Sequence, residues 1–487
     1  MKWFEAVWKE DEVMVDMKGF IEFEGEKYSF SFYDSRLNLY PKEFNPKPIS
    51  EWFALSDRGK FIQNIKLHGI TSRNKMVMFE VPERYSDDNG FLSFDVYFAY
   101  EYEKSRCQNF SEDGKPKYKE NNIRGMKFTG IDVDAFYPPQ KAYCIELLEN
   151  KEIAAKVDIN KSVEVSLGTI EWKDVEIKFT AQFTTKYSFC AFNPFHSSSE
   201  IIAYFSKEVS FDFVEELYFG VYQTFRYIMR RSNIVFKNVE IFDVNEKKQR
   251  YIFGKFYDFR INNDNETNSK LKDRVLSYDC IGKKSAELLK KFLEGVIYID
   301  HLPENIDKTN EFGPDRMLFD FVAFEREYAN LYPEELVRSK EYIEAKNDTL
   351  DILNKLINVK SGKVKEYVKS FHKRISADEN SLSDRITKVI KDCLPIMEPF
   401  LIYELGKEYN IEKNKIIPLD NMVKKMNILR NDMAHGNLDI KMECEHISGF
   451  AILESLLYAM RLKALGIEDE KIQEGIIRIM GYNISLK

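Results

Sequence analysis

The 487-residue chain holds only six cysteines, Cys107, Cys144, Cys190, Cys280, Cys393 and Cys444, and no two of them form a CxxC pair. That scarcity argues against both a zinc knuckle and a disulfide framework, and predicts reduced, mostly buried thiols. Cys444 and His446 are close enough in sequence to share a metal. No second ligand pair accompanies them, so a structural role is the simpler reading and no metal is expected. No stretch approaches the uninterrupted apolar length of a membrane span, and the start, Met1-Lys2-Trp3-Phe4-Glu5, lacks a basic-then-apolar signal segment. A soluble cytoplasmic protein with no membrane partner is the expectation. P-loop, dinucleotide fingerprint and Ser-His-Asp arrangement are all missing, which leaves nucleotide hydrolysis and hydride transfer without support and predicts no cofactor. The formal net charge of -8 argues against wrapping nucleic acid over a broad basic surface, so any such contact is expected to be focal.

What is present indicates two folded parts. Hydrophobic content of 44% and aromatic content of 14% lie outside the disordered class, and the length exceeds one ordinary core. Up to about Arg260 the pattern alternates and is rich in aromatic and β-branched residues. Gly19 to Phe32 reads as a hairpin turning at Gly25-Glu26, and further strands are expected at Phe61 to Ile70, Lys75 to Val81, Phe91 to Tyr102, Met126 to Phe136, Ser162 to Trp172, Val175 to Cys190, Ile201 to Val209, Ile234 to Phe242 and Tyr251 to Phe259. One helix, Phe213 to Arg231, interrupts them, with Val214, Leu217, Val221, Phe225 and Ile228 at helical spacing. The polar run Asn262 to Lys272 reads as a surface loop, and a second boundary lies near Pro303 to Pro314. Beyond it, helices are expected at about 315–331, 334–358, 362–375, 382–408, 419–435, 440–465 and 468–481, the fourth broken or kinked by Pro395 and Pro399. The fold class that follows is α+β and multidomain, with a β-rich part over 1–305 and an all-α bundle over 306–487.

The chemistry concentrates in Leu429-Arg430-Asn431-Asp432-Met433-Ala434-His435-Gly436. Arg430 supplies a permanently charged forked donor suited to a phosphate, and His435 an imidazole able to exchange a proton near neutrality. On an ideal helix the two lie about 140° apart around the axis and roughly 7.5 Å apart along it, so they do not share a face. Either the helix ends before His435, or a second copy supplies facing residues across a two-fold axis. Gly436 fits the left-handed position that closes a helix and would set His435 in its last turn. RNA carries its own nucleophile in the 2′-hydroxyl, so acid-base groups and a phosphate anchor suffice, with Asn431 orienting one of them. The plainer alternative pairs Arg430 with Asp432 or Glu443 and leaves His435 as a helix cap.

This motif, an arginine followed by a polar residue, a short gap and a histidine between two helices, resembles that of the HEPN superfamily. The C-terminal part looks like the HEPN domain of ApeA-type anti-phage proteins, with Asn421 to Leu429 as the approach helix and Ile447 to Leu465 as the long apolar helix that follows. Phe324-Glu325-Arg326-Glu327-Tyr328 and Tyr332-Pro333-Glu334-Glu335 resemble the entry into that domain, and the β-rich half is similar in layout to the ApeA amino-terminal domain without a diagnostic short motif. The resemblance implies a metal-independent endoribonuclease with Arg430, Asn431 and His435 catalytic. It also implies a homodimer through the HEPN domain, RNA as substrate with transfer RNA a candidate, growth arrest or abortive infection, and an N-terminal part that senses a phage-encoded activator. Some members of the superfamily keep the bundle without nuclease activity and serve as RNA-binding or protein-interaction modules.

Other residues carry weaker signals. Arg226, Arg230 and Arg231 fall near one side of the N-terminal helix and, with Lys424 and Lys425, are candidate RNA contacts, although charged helical faces are usually only solvated. Asp132 and Asp134 would share a strand face, as a metal pair or a solvated edge. Lys247-Lys248-Gln249-Arg250 reads as a basic hairpin tip, and Lys283-Lys284 with Lys290-Lys291 as the wet side of a helix.

Overall fold

The computed structural model describes residues 16–41, 64–82, 86–87, 91–103, 109–110, 116–117, 123–139, 143–147, 153–157, 164–187, 195–245, 249–260, 271, 274–333, 339–376, 382–406, 417–435 and 443–484. The polar run 262–272 lies almost wholly outside them, as do Lys247, Lys248 and Gly436. The chain divides into two compact units, Met1–Glu294 with Glu304–Lys308, and Gly295–Pro303 with Thr309–Lys487.

The first unit is built on strands β1 (Met17–Phe23), β2 (Glu26–Tyr33), β3 (Arg36–Pro41), β4 (Asn64–Thr71), β5 (Lys75–Pro82), β6 (Ser86–Asp87), β7 (Leu92–Asp95), β8 (Phe98–Glu103), β9 (Asn109–Phe110), β10 (Pro116–Lys117), β11 (Ile123–Thr129), β12 (Tyr143–Leu147), β13 (Ile153–Val157), β14 (Val165–Trp172), β15 (Val175–Tyr187), β16 (Phe195–Val209), β17 (Asn238–Val244) and β18 (Arg250–Asp258). Fourteen of these form one antiparallel sheet in the order β14-β15-β16-β11-β17-β18-β8-β5-β4-β1-β2-β3-β7-β6, while β9-β10 and β12-β13 pair separately. Glu24 and Gly25, both at positive φ (50° and 82°), make the two-residue turn whose backbone twist suits a hairpin, and this sets Phe23 opposite Glu26 and Met17 opposite Phe32. Register then puts Met17, Ile21, Phe30, Phe32, Leu37, Leu39, Phe79 and Phe94 into one core. Phe30 meets Phe79 edge-on at 5.5 Å. The run from Phe91 to Tyr102 is two strands rather than one. Val96 and Tyr97 leave the ladder to bond Ser35 and Glu80 carbonyls at 2.8 and 2.9 Å, yet Phe94, Val96 and Phe98 stay buried, so the alternation hides the bend.

Helix α1 (Ile131–Phe136) corrects a strand expectation, because Gly130 at φ 151° ends β11 and starts a helix whose first turn holds Asp132 and Asp134. Helix α2 (Phe211–Met229) matches the apolar spacing read from the sequence. Its Ser210 cap accepts from the Phe213 amide at 3.4 Å. Its buried face lies on the sheet through Phe211 against Tyr100 at 4.5 Å and Tyr218 against Phe256 at 4.6 Å. Helices α3 (Tyr278–Ile281) and α4 (Ser285–Leu293) complete the unit. α4 sits close to the β14 bulge, where Gly168 adopts φ 117° and a Cβ would come within 2.5 Å of the Lys283 carbonyl oxygen.

The second unit is helical: α5 (Pro314–Leu331), α6 (Lys340–Val359), α7 (Gly362–Ser376), α8 (Leu382–Asp392), α9 (Leu394–Leu405), α10 (Ile417–Ala434), α11 (Cys444–Ala464) and α12 (Asp469–Met480). The expected proline break falls at Cys393, so that Pro395 occupies the tolerant first turn of α9, while Pro399 is held inside that helix. Helix α11 is the hub, buried at nearly every residue from Gly449 to Leu462. Two of its buried charges are paired to α5, Glu454 with Arg316 at 2.5 Å and Arg461 with Glu327. Arg316 also donates to the Thr309 and Glu311 carbonyls at 3.0 and 2.7 Å, so its fork is filled. Among the described residues, no helix is long and apolar enough to cross a membrane. The molecule is therefore a mixed α+β chain, with a large antiparallel sheet first and a helical unit after it.

Candidate active site at the end of helix α10

Helix α10 packs against α5, α8 and α11. It buries Met422, Val423, Met426, Leu429 and Met433, an apolar stripe at helical spacing. The first residue past its end is His435, whose amide still closes on the Asn431 carbonyl at 3.0 Å and on that of Asp432 at 3.2 Å. The helical path therefore runs through the whole motif, and the angular divergence of Arg430 and His435 stands within one copy. Arg430 flanks the buried stripe, half-exposed, and Nη2 lies 3.4 Å from Oε1 of Glu325 on α5. Its Nη1 donates to the Asn431 side-chain oxygen at 3.3 Å. Asn431 and His435 are exposed, and the His435 ring has no hydrogen-bond partner among the described residues.

On ideal helical geometry Arg430, Asn431 and His435 span an arc of about 140° that runs from the edge of the buried stripe out to solvent, with Asn431 between the other two. Lys424 falls on the same outward stripe, seven and eleven residues before Asn431 and His435, and is exposed. Lys425 points elsewhere: it bonds Glu445 and lies 3.5 Å from Glu443 at the start of α11, and the Glu445 hydrogen bond holds its ammonium above the usual lysine range. Ile428 and Ile447 are also exposed, at 62% and 46%. Glu325 was not singled out from the sequence as a site residue, although it lies in the Phe324–Tyr328 run. It is 105 residues from Arg430, and no local spacing connects them.

The arginine cluster in the first unit is a correction. Arg231 is 1% exposed and bonds Asp132 and the Asn233 carbonyl; Arg230 is 3% exposed. Neither offers a guanidinium to a phosphate in this arrangement. Arg226 is half-buried, donating to Gln223 at 2.8 Å and Ser232 at 3.0 Å. Asp132 and Asp134 do not form a paired edge either: Asp132 receives Arg231 and the Val235 amide, and Asp134 accepts from the Ser199 amide at 2.6 Å. His446 closes a capping box, its Nδ1 accepting from the Glu443 amide at 3.1 Å. No group of three or more metal-ligating side chains occurs among the described residues. Of the thiols described, Cys393 is buried and pushed up to about 11 by desolvation, Cys280 is half-buried and Cys444 exposed.

No family model, no curated protein and no solved structure matches the chain. The geometry of the site stands on its own. It offers a half-free guanidinium, a carboxamide and an imidazole on one outward arc.

Proposed function

We propose that the helical unit is a HEPN-type bundle and a metal-independent endoribonuclease, with Arg430, Asn431 and His435 as its catalytic residues. The observation that carries this reading is the outward arc itself: the three side chains reach solvent at the end of a well-packed helix instead of being absorbed into the core. Because a single copy splays Arg430 and His435 apart, the reaction is assigned to a homodimer in which two arcs face one another. Exposed Ile428, which helical spacing sets beside His435, supplies apolar surface for that contact.

In such a cleft an imidazole takes the proton of the 2′-hydroxyl as its oxygen bonds to phosphorus. The bond to the 5′-oxygen breaks, and a second imidazole returns a proton to that leaving oxygen. Arg430 neutralises the charge that gathers on the phosphoryl oxygens, and Asn431 orients the guanidinium it already touches. The products are a 2′,3′-cyclic phosphate and a 5′-hydroxyl. In this reading transfer RNA is the candidate substrate, cleavage arrests growth during phage infection, and the β-rich unit receives a phage-encoded activator.

Sequencing of RNA ends from cells expressing the wild type and His435→Ala tests the proposal. Cyclic-phosphate ends that persist in chelator-treated extracts and fall at least about 100-fold in His435→Ala and Arg430→Ala are expected. Ends carrying a 3′-hydroxyl, or breakage indifferent to His435, would remove it. A second reading, a non-catalytic RNA-binding or protein-interaction module, is favoured by the Arg430–Glu325 pair, which gives the arginine a structural partner. Growth inhibition that is the same for the wild type and both alanine variants would select it.

A further inference from the structure

Helices α6 and α7 form a hairpin that buries none of its own residues. Lys346, Leu350, Leu353 and Ile357 are half-buried on α6, and Lys365, Val368, His372 and Ile375 on α7, the spacing of two helices packed along one seam. Lys346 Nζ reaches the Ser376 carbonyl at 3.4 Å, which sets the two antiparallel. Measured from that seam in ideal 100° steps, Ile352, Leu356 and Val359 turn to one side of α6, and Val364, Tyr367 and Phe371 turn to the same side of the hairpin. All six are exposed, Val359 at 79% and Tyr367 at 72%. The far end of the hairpin thus carries a flat apolar face with nothing over it among the described residues.

The charge there is one-sided. Between residues 352 and 374 seven lysines and arginines stand against a single acid, Glu366, in a chain whose net charge is -8. None of the seven makes an ion pair among the described residues. The other acids of the hairpin, Glu341, Glu344, Asp348 and Asp351, all precede Ile352. A ligand must therefore be anionic and aliphatic at once. Nucleic acid would satisfy the cations and stack on Tyr367 and Phe371, yet leave Ile352, Leu356, Val359 and Val364 against water or phosphate. A second copy would cover the apolar face while crowding two like-charged ends together.

We propose that the distal face of the α6–α7 hairpin docks on an anionic lipid surface, its six apolar side chains entering the headgroup boundary while the flanking lysines reach the phosphates. Neither helix crosses the bilayer. The contact is peripheral and stands apart from the chemistry of α10. It departs from the expectation of a protein without any membrane partner.

Sedimentation of the full chain with vesicles tests this. Vesicles of phosphatidylglycerol mixed with phosphatidylcholine should carry it down, and pure phosphatidylcholine should not. Combining Leu356→Glu with Tyr367→Glu should lower the bound fraction about tenfold or more, and half-molar salt should weaken it comparably. Both side chains are exposed, so circular dichroism and thermal midpoint should be those of the wild type, and RNA cleavage in solution should be unchanged. The proposal is overturned if the wild type ignores phosphatidylglycerol vesicles or if the double variant binds them equally. It is overturned as well if the substitutions abolish self-association by light scattering, or retention of transfer RNA on filters, in a wild type that never meets lipid.

Discussion

Arg231 and Arg430 are the same side chain put to opposite uses, and burial separates them. Arg231 pairs with Asp132 at 1% exposure on both sides, in a site where an unmatched charge cannot be solvated. Arg231→Ala should cost about 3–5 kcal/mol of stability by urea unfolding, because Asp132 would remain charged and buried. The Arg430–Glu325 pair is about a third exposed on each partner, and Glu325→Gln should change stability by less than about 1 kcal/mol. Two further residues set a pH dependence. Burial, with Lys66 nearby, lowers the His68 imidazole to about 4. The unfolded chain takes up that proton near 6.5 and the folded one does not, so this contribution is complete above 6.5 and is lost as pH falls towards 4. Glu215 has the opposite sign: desolvation and a hydrogen bond to Glu80 raise its pKa, so its protonated form favours the fold and stability is lost as pH rises above the ordinary carboxylate range. Thermal midpoints of His68→Gln and Glu215→Gln across pH should flatten on the acid side and on the neutral side respectively.

At the scale of elements, period and punctuation were legible, and the places where they failed share a cause. Alternation located β4, β5, β14 and β15 within a few residues, and the 3.6 period located α2 and most of the helical unit. The pattern ran on through Gly130 into α1 because Val133 and Phe136 are buried there just as strand residues would be. At Gly168 a bulge and a close helix coincide. Gly168→Ala should cost about 1–3 kcal/mol by denaturant titration, since it adds both a strained φ and a clash with the Lys283 carbonyl. The α10 motif shows both halves of the problem. Its residues were visible as a string, whereas the helical bond from the His435 amide to the Asn431 carbonyl, which keeps the histidine turned from the arginine, depends on how α10 ends.

For the whole molecule, the proposed chemistry needs two copies. Ile428→Glu should yield monomers by light scattering and abolish RNA cleavage while leaving helix content intact, because the side chain is 62% exposed and supports no core. Dimers that form regardless would place the contact elsewhere on the helical unit.

Local order in the chain was enough to divide it into a sheet-forming half and a helical half, to put the Arg-Asn-His string at a helix end and to mark α2 as amphipathic, since each of these depends on near neighbours and a repeating period. Packing decided the rest. That Arg231 answers Asp132 across 99 residues, that Glu325 stands beside Arg430, and that Ile352 and Tyr367 have nothing over them among the described residues are facts about which surfaces meet. An amphipathic stripe shows that a face is apolar, but only the folded chain shows whether anything lies against it.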